Sequence, residues 1–138
     1  MEYLDGIKNT GIQSCILNIE NYNSFESLLL EQLQNIKVDG IVAADELSAI
    51  STIKYALKNS YKIPEDISVI GFTNGALAEN YVPLLTAVDQ QAKEQGIMAA
   101  STLIERLERE ISFEPVHHTL KTTIIQRQST FPLLLLKR

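Results

Sequence analysis

Three short stretches of this chain, GIVAA (Gly40 to Ala44), ISVIGF (Ile67 to Phe72) and LLTAV (Leu84 to Val88), are apolar or small at almost every position. Between them lie longer stretches in which apolar residues return every three or four positions. A strand with one wet face alternates apolar and polar residues, whereas an unbroken apolar run marks a strand buried on both faces. Short buried strands alternating with amphipathic helices specify an α/β domain: an open, mostly parallel sheet with helices on both faces and right-handed crossovers.

The element boundaries follow from local signals. Tyr3, Leu4 and Ile7 share one helical face between Glu2 and Asn9, ahead of Gly11 as a C-terminal cap. Ser14 to Ile19 reads as a strand, with Cys15 as a small buried thiol. Asn23 and Glu26 have capping-box spacing before a helix over Ser24 to Asn35. Asp45 can cap the next helix, which carries Leu47, Ile50, Ile53 and Leu57, and Pro64 with Asp66 marks a turn. TNGALAENYVP (73–83) reads as a loop. A helix over Gln91 to Glu110 carries Ile97, Ala100, Ile104 and Leu107 on one face, and Leu120 to Gln126 is a last strand.

At 138 residues, 45% hydrophobic and 21% charged, the chain is long and apolar enough for one globular domain. A net charge of −5 lacks the positive field that autonomous nucleic-acid binding needs. A single cysteine cannot form an internal disulfide, and the N-terminus resembles neither signal peptide nor anchor. The expectation is therefore a cytoplasmic protein without membrane association. Leu133 to Leu136 is far shorter than the roughly 20 apolar residues of a spanning helix, and is expected to pack against this chain or a partner. The mixed charges from Glu105 to Glu110 read as a solvated helix face.

No strand is followed by a glycine-rich phosphate loop, and no serine elbow or activated cysteine is present, so catalysis is not expected. His117 and His118 are the only histidines and, as neighbours on an extended chain, point apart; neither metal nor cofactor is expected. In open α/β sheets ligands bind beyond the carboxyl ends of the strands. That places the candidates at Glu20 to Asn23, Asp45, Thr73 to Gly75, and Asp89 to Gln90. Asp45 is suited equally to a ligand and to capping its helix. Asn74 and Gln90 offer amides to ligand hydroxyls, although Asn74 beside Gly75 also suits a turn. Tyr22 could stack on a ligand or staple the helix behind it.

The order VDGIVAADELSAISTIKYALKNSYKIPEDISVIGFTN, then VPLLTAVDQQAKEQGIMAASTLIERL, then LKTTIIQRQST resembles the LacI/GalR family of bacterial transcriptional regulators, from about Tyr3 to Thr130. The resemblance implies the C-terminal lobe of a two-lobed, periplasmic-binding-protein-like (type I) core, with residues 1–130 contributing to effector binding and dimerisation and 131–138 forming an apolar tail. It implies that the helix over 89–112 belongs to the other lobe, so that its apolar face requires other cover here. The helix-turn-helix headpiece that contacts operator DNA lies outside this sequence. The resemblance carries ligand contacts onto Tyr22, Asp45, Thr73 and Gln90, and homodimer contacts onto Ala49, Ile50, Tyr81 and Val82, some of which core packing would also explain. Two positions depart from the family pattern: Thr73 stands where an aspartate is common, and Ala44 where a polar residue is common. A hydroxyl replaces a carboxylate that pairs with sugar hydroxyls, which leaves the small-molecule effector as a sugar or a related polar metabolite. The alternative function is a lobe of a solute-binding protein for sugar transport. A phosphorylation receiver centred on Asp45 lacks the accompanying acidic pair and lysine.

Overall fold

Small residues decide how closely the layers of this fold approach. In the computed structural model, which describes residues 7–109, 115 and 117–132, the strands β1 (Gly40–Ala43), β2 (Ser68–Gly71), β3 (Thr86–Asp89) and β4 (Thr123–Ile125) form one sheet in the order β1-β2-β3-β4. β1 and β2 pair in parallel with Ile41 beside Val69, β2 and β3 pair in parallel with Ile70 beside Thr86, and β4 runs antiparallel to β3 with Ile124 beside Val88. The helices are α1 (Phe25–Asn35), α2 (Glu46–Lys58), α3 (Ala76–Asn80) and α4 (Ala92–Arg109), with a single 3-10 turn at Tyr22–Ser24.

Ala43, Val69 and Ala87 line one sheet face and pack with Ala49, Ile53 and Ala56 of α2, Ala78 of α3, and Leu85. Gly71 marks a close approach of helix to strand: a Cβ there would lie 2.9 Å from the Leu85 Cδ2 and 3.2 Å from the Ala49 Cβ. Any side chain at this position would push α2 and Leu85 off the strand. Ser129 closes the amino end of the sheet. Its hydroxyl donates to the Val69 carbonyl at 2.6 Å and accepts from the Thr86 amide at 2.8 Å, and it is fully buried. These contacts hold β2 and β3 together below the level at which their own pairing begins.

The strands and longer helices lie where apolar periodicity places them, within one or two residues at most ends. Several expectations need correction. Residues 14–19 form no strand and do not join the sheet; Ile12 and Ile16 remain exposed, and Cys15 is an exposed thiol rather than a buried one. An apolar run becomes a strand only where it forms a ladder with a neighbour, and here β1 is an edge strand paired with β2 on one side, its other edge not taken up by residues 14–19. The stretch expected as a loop over 73–83 contains α3. The capping residue of the Tyr22 turn is Asn21, whose side chain accepts from the Asn23 amide at 2.9 Å, while Glu26 reaches Lys58 at 2.6 Å instead of folding back. On the second sheet face Thr86 is buried, while Val42 and Ile124 are more than half exposed.

The helix expected over residues 2–9 falls largely outside the described residues, and the apolar tail beyond Pro132 lies outside them. On α4, Ile97, Ala100, Ile104 and Leu107 are all exposed, Leu107 at 74%.

Candidate functional site

Parallel strands end together, so the loops after β1, β2 and β3 meet at one edge. Gly71 pairs with Ala43 on one side and Ala87 on the other, and the Phe72 amide donates to the Ala43 carbonyl at 3.0 Å. This registration brings Asp45, Thr73 and Gln90 to the carboxyl edge of the sheet.

Asp45 begins α2 in extended conformation and caps it: one carboxylate oxygen accepts from the Ser48 amide at 2.7 Å, the other from the Ser48 hydroxyl at 2.9 Å. The Tyr22 hydroxyl stands 2.9 Å from the Ser48 Oγ and 3.5 Å from the Asp45 Oδ1. With the Ser48 proton committed to Asp45, the Tyr22 hydroxyl donates to Ser48. The Tyr22 ring stacks on Phe25 at 5.7 Å between centroids, and Phe25 is buried against α2 and Tyr55. Tyr22 is thus held from behind by both a ring and a hydroxyl contact, while nearly half of it stays exposed. The helix-staple and edge-residue roles coexist.

On the β2 and β3 side, the Phe72 carbonyl accepts from the Thr73 hydroxyl at 2.7 Å and also from the Gln90 side-chain amide. Asp89 turns its carboxylate to the Gln91 amide at 2.8 Å, fixing the bend into α4. The Asn74 carbonyl oxygen is occupied by Arg127, whose Nη2 donates to it at 2.8 Å and to Glu79 at 3.0 Å while Nη1 donates to the Leu85 carbonyl at 2.8 Å. Asn74 is therefore a tether for the loop.

The structure brings Tyr22 to Asp45, and Thr73 to Gln90 through a shared carbonyl. Of the four residues expected to contact a second subunit, Ala49 and Ile50 face this chain's own core, Tyr81 is half-buried, and Val82 is 77% exposed. Among the described residues no three His, Cys, Asp or Glu side chains gather as metal ligands; His117 and His118 are both exposed. No helix among them is long and apolar enough to cross a membrane.

Three residues of this edge escaped the sequence reading. Ser48 stands three positions after Asp45, the spacing of an N-cap to its N3 residue, and that signal points to it. Arg127 and Glu46 act across long sequence separations, for which no local pattern exists.

The family model of the periplasmic binding protein-like domain matches residues 3–130. An HTH-type transcriptional regulator of Lachnoclostridium phytofermentans is 30% identical over 119 residues, covering 86% of this chain and 34% of that protein. Among solved structures, the transcriptional regulator CelR in complex with cellobiose superposes with a TM-score of 0.79 at 26% identity, covering 92% of this chain and 40% of that one. A LacI family transcriptional regulator from Arthrobacter sp. FB24 in complex with lactose gives 0.81 at 25% identity, covering 93% and 49%. The chain thus spans about a third of the curated relative's length and under half of these structures' lengths.

Proposed function

Because the chain belongs to the periplasmic binding protein-like domain family, within the LacI-type regulators, we propose that it forms one wall of the effector cleft of a DNA-binding transcriptional regulator, with a sugar or related polar metabolite as effector. The observation that carries this reading is the carboxyl edge of the sheet. There Tyr22, Asp45 and Ser48 form a hydroxyl-carboxylate cluster beside the loop that holds Thr73 against Gln90. Sugars are recognised by such a mixture of an aromatic ring and acceptors and donors for hydroxyls. The cellobiose and lactose complexes of similar proteins support this ligand class.

In this reading Tyr22 supplies a ring face, Asp45 offers the lone pairs that its cap leaves over, and Thr73 and Gln90 address hydroxyls from the opposite side. The helix α4 passes to a second lobe, whose contact accounts for the exposed Ile97, Ile104 and Leu107. Tyr81 and Val82 lie in a homodimer interface, together with the solvent-facing start of α2 at Leu47, whereas Ala49 and Ile50 belong to this chain's own core. Effector closes the two lobes, and the lobe movement alters operator affinity through a headpiece by linkage. The role is binding without catalysis, in the cytoplasm. The regulator relative favours this reading over a transport solute-binding lobe.

Calorimetric titration with cellobiose and lactose tests it. One wall of a cleft gives dissociation constants of about 1 mM or weaker, since half of the contacts are missing. Micromolar binding by this chain alone overturns the one-wall assignment, and binding unaffected by Tyr22→Ala and Thr73→Ala overturns the edge as its location.

A further inference from the structure

The short helix α3 starts at Gly75, which has no side chain to accept from the first-turn amides. A capping side chain ordinarily accepts from the second or third amide of its helix. Here the third, Ala78, donates at 2.9 Å to Oε1 of Glu46, a residue of α2 that is 32 positions away. Gly75 is packed directly on that carboxylate: a Cβ would stand 2.6 Å from Oε2 and 2.7 Å from Oε1. The glycine and the glutamate are thus complementary, one vacating the space that the other fills.

Glu46 follows Asp45 in sequence, and Gly75 lies two residues after Thr73. The carboxylate therefore joins the helix start that carries Asp45 and Ser48 to the loop that carries Thr73. Arg127 holds the same loop from the far side through Asn74, and Gln90 holds it at the Phe72 carbonyl. Between these two tethers, the Glu46 carboxylate of α2 bonds to Ala78 of α3 and packs on Gly75 of the loop. The same bond reaches α3, which leads into Tyr81 and Val82.

We infer that Glu46 is a positioning residue: it caps α3 from α2, sets the separation of Thr73 from Asp45 across the effector edge, and makes the placement of the Tyr81–Val82 surface depend on that edge. The effector part of this inference rests on the proposed cleft; the capping part does not.

Amide exchange and chemical shifts of the full chain, followed by NMR for the native protein, Glu46→Ala, Glu46→Gln and Gly75→Ala, test it. In Glu46→Ala the Ala78 amide exchanges about tenfold faster and the Thr73 and Asn74 amides shift, while Val69 and Ala87 in the sheet keep their rates. Glu46→Gln keeps an acceptor oxygen at the same reach and restores the native pattern. Gly75→Ala reproduces the Glu46→Ala pattern by displacing the carboxylate. Unchanged Ala78 and Thr73 amides in Glu46→Ala, no rescue by Glu46→Gln, or equal acceleration at Val69 and Ala87 each overturn the assignment. With cellobiose as probe, Glu46→Ala loses the response at Thr73 and retains it at Tyr22; an equal response at both in the variant overturns the positioning role. If the native chain gives no cellobiose response, the cleft reading fails, and the exchange pattern still decides the cap.

Discussion

The Tyr22 hydroxyl lies 2.9 Å from the Ser48 hydroxyl, across 26 residues of sequence, and Ser48 in turn donates to Asp45 at 2.9 Å. One relay therefore fixes the aromatic residue of the turn before α1 to the start of α2. Removing its first member tests it. Tyr22→Phe keeps the stack on Phe25 and deletes only the hydroxyl, so stability falls by about 1 kcal/mol or less, as for a net exposed hydrogen bond. Urea unfolding measures this. A loss several times larger would mean that the ring itself has moved.

Asp45 serves as helix cap and, in the proposed cleft, as an acceptor for ligand hydroxyls. Two substitutions separate these roles. Asp45→Ala removes the cap and costs about 1 kcal/mol of stability, while Asp45→Asn still caps and costs little. Sugar affinity falls in both, because the amide loses one of the carboxylate's acceptors. Chemical denaturation paired with sugar titration reads the two effects independently.

The core and the α4 surface respond in opposite ways to truncation. Ile53 is fully buried between α2 and the sheet, so Ile53→Ala costs about 2–5 kcal/mol. Leu107 is 74% exposed, so Leu107→Ala changes monomer stability by no more than about 0.5 kcal/mol. Sedimentation of the Leu107→Asp variant beside the native chain shows whether that face associates. The account expects the variant to be the less associated of the two.

Lys58 donates to Glu26 at 2.6 Å, which ties α2 to α1, and the hydrogen bond with the charge of Glu26 raises its pKa above the usual 10.5. A raised folded-state value means that the pair's stabilisation is complete below 10.5 and is lost as pH climbs through the folded value. The difference in melting temperature between the native chain and Lys58→Met is therefore constant near neutrality and shrinks toward about pH 12. Thermal unfolding at both values checks the sign. The pair is largely exposed, so the difference is small throughout.

The strands, the three longer helices and the location of the ligand edge were legible because each rests on local periodicity and on the rule that parallel strands end together. Asp45 was legible as a cap because capping is a matter of four consecutive residues, here Asp45 to Ser48. The short α3 was hidden in a loop-like stretch, since five residues are too few to show helical periodicity and its cap comes from Glu46, far away in sequence. Residues 14–19 misled for the complementary reason: an apolar run reports that a strand is possible, while pairing depends on a neighbour that periodicity does not report. The tether from Arg127 to Asn74 spans 53 residues and leaves no trace in spacing at all.

Residue-by-residue NMR shift mapping of the chain with cellobiose and lactose at about 50 mM tests the proposed effector edge most directly, since that concentration exceeds a millimolar dissociation constant many-fold. The account predicts shifts concentrated at Tyr22, Asp45, Ser48, Thr73 and Gln90, with the amides of Ser129 and Thr86 at the opposite end of the sheet unmoved. No response to either sugar, or a response centred away from the carboxyl edge, would contradict it.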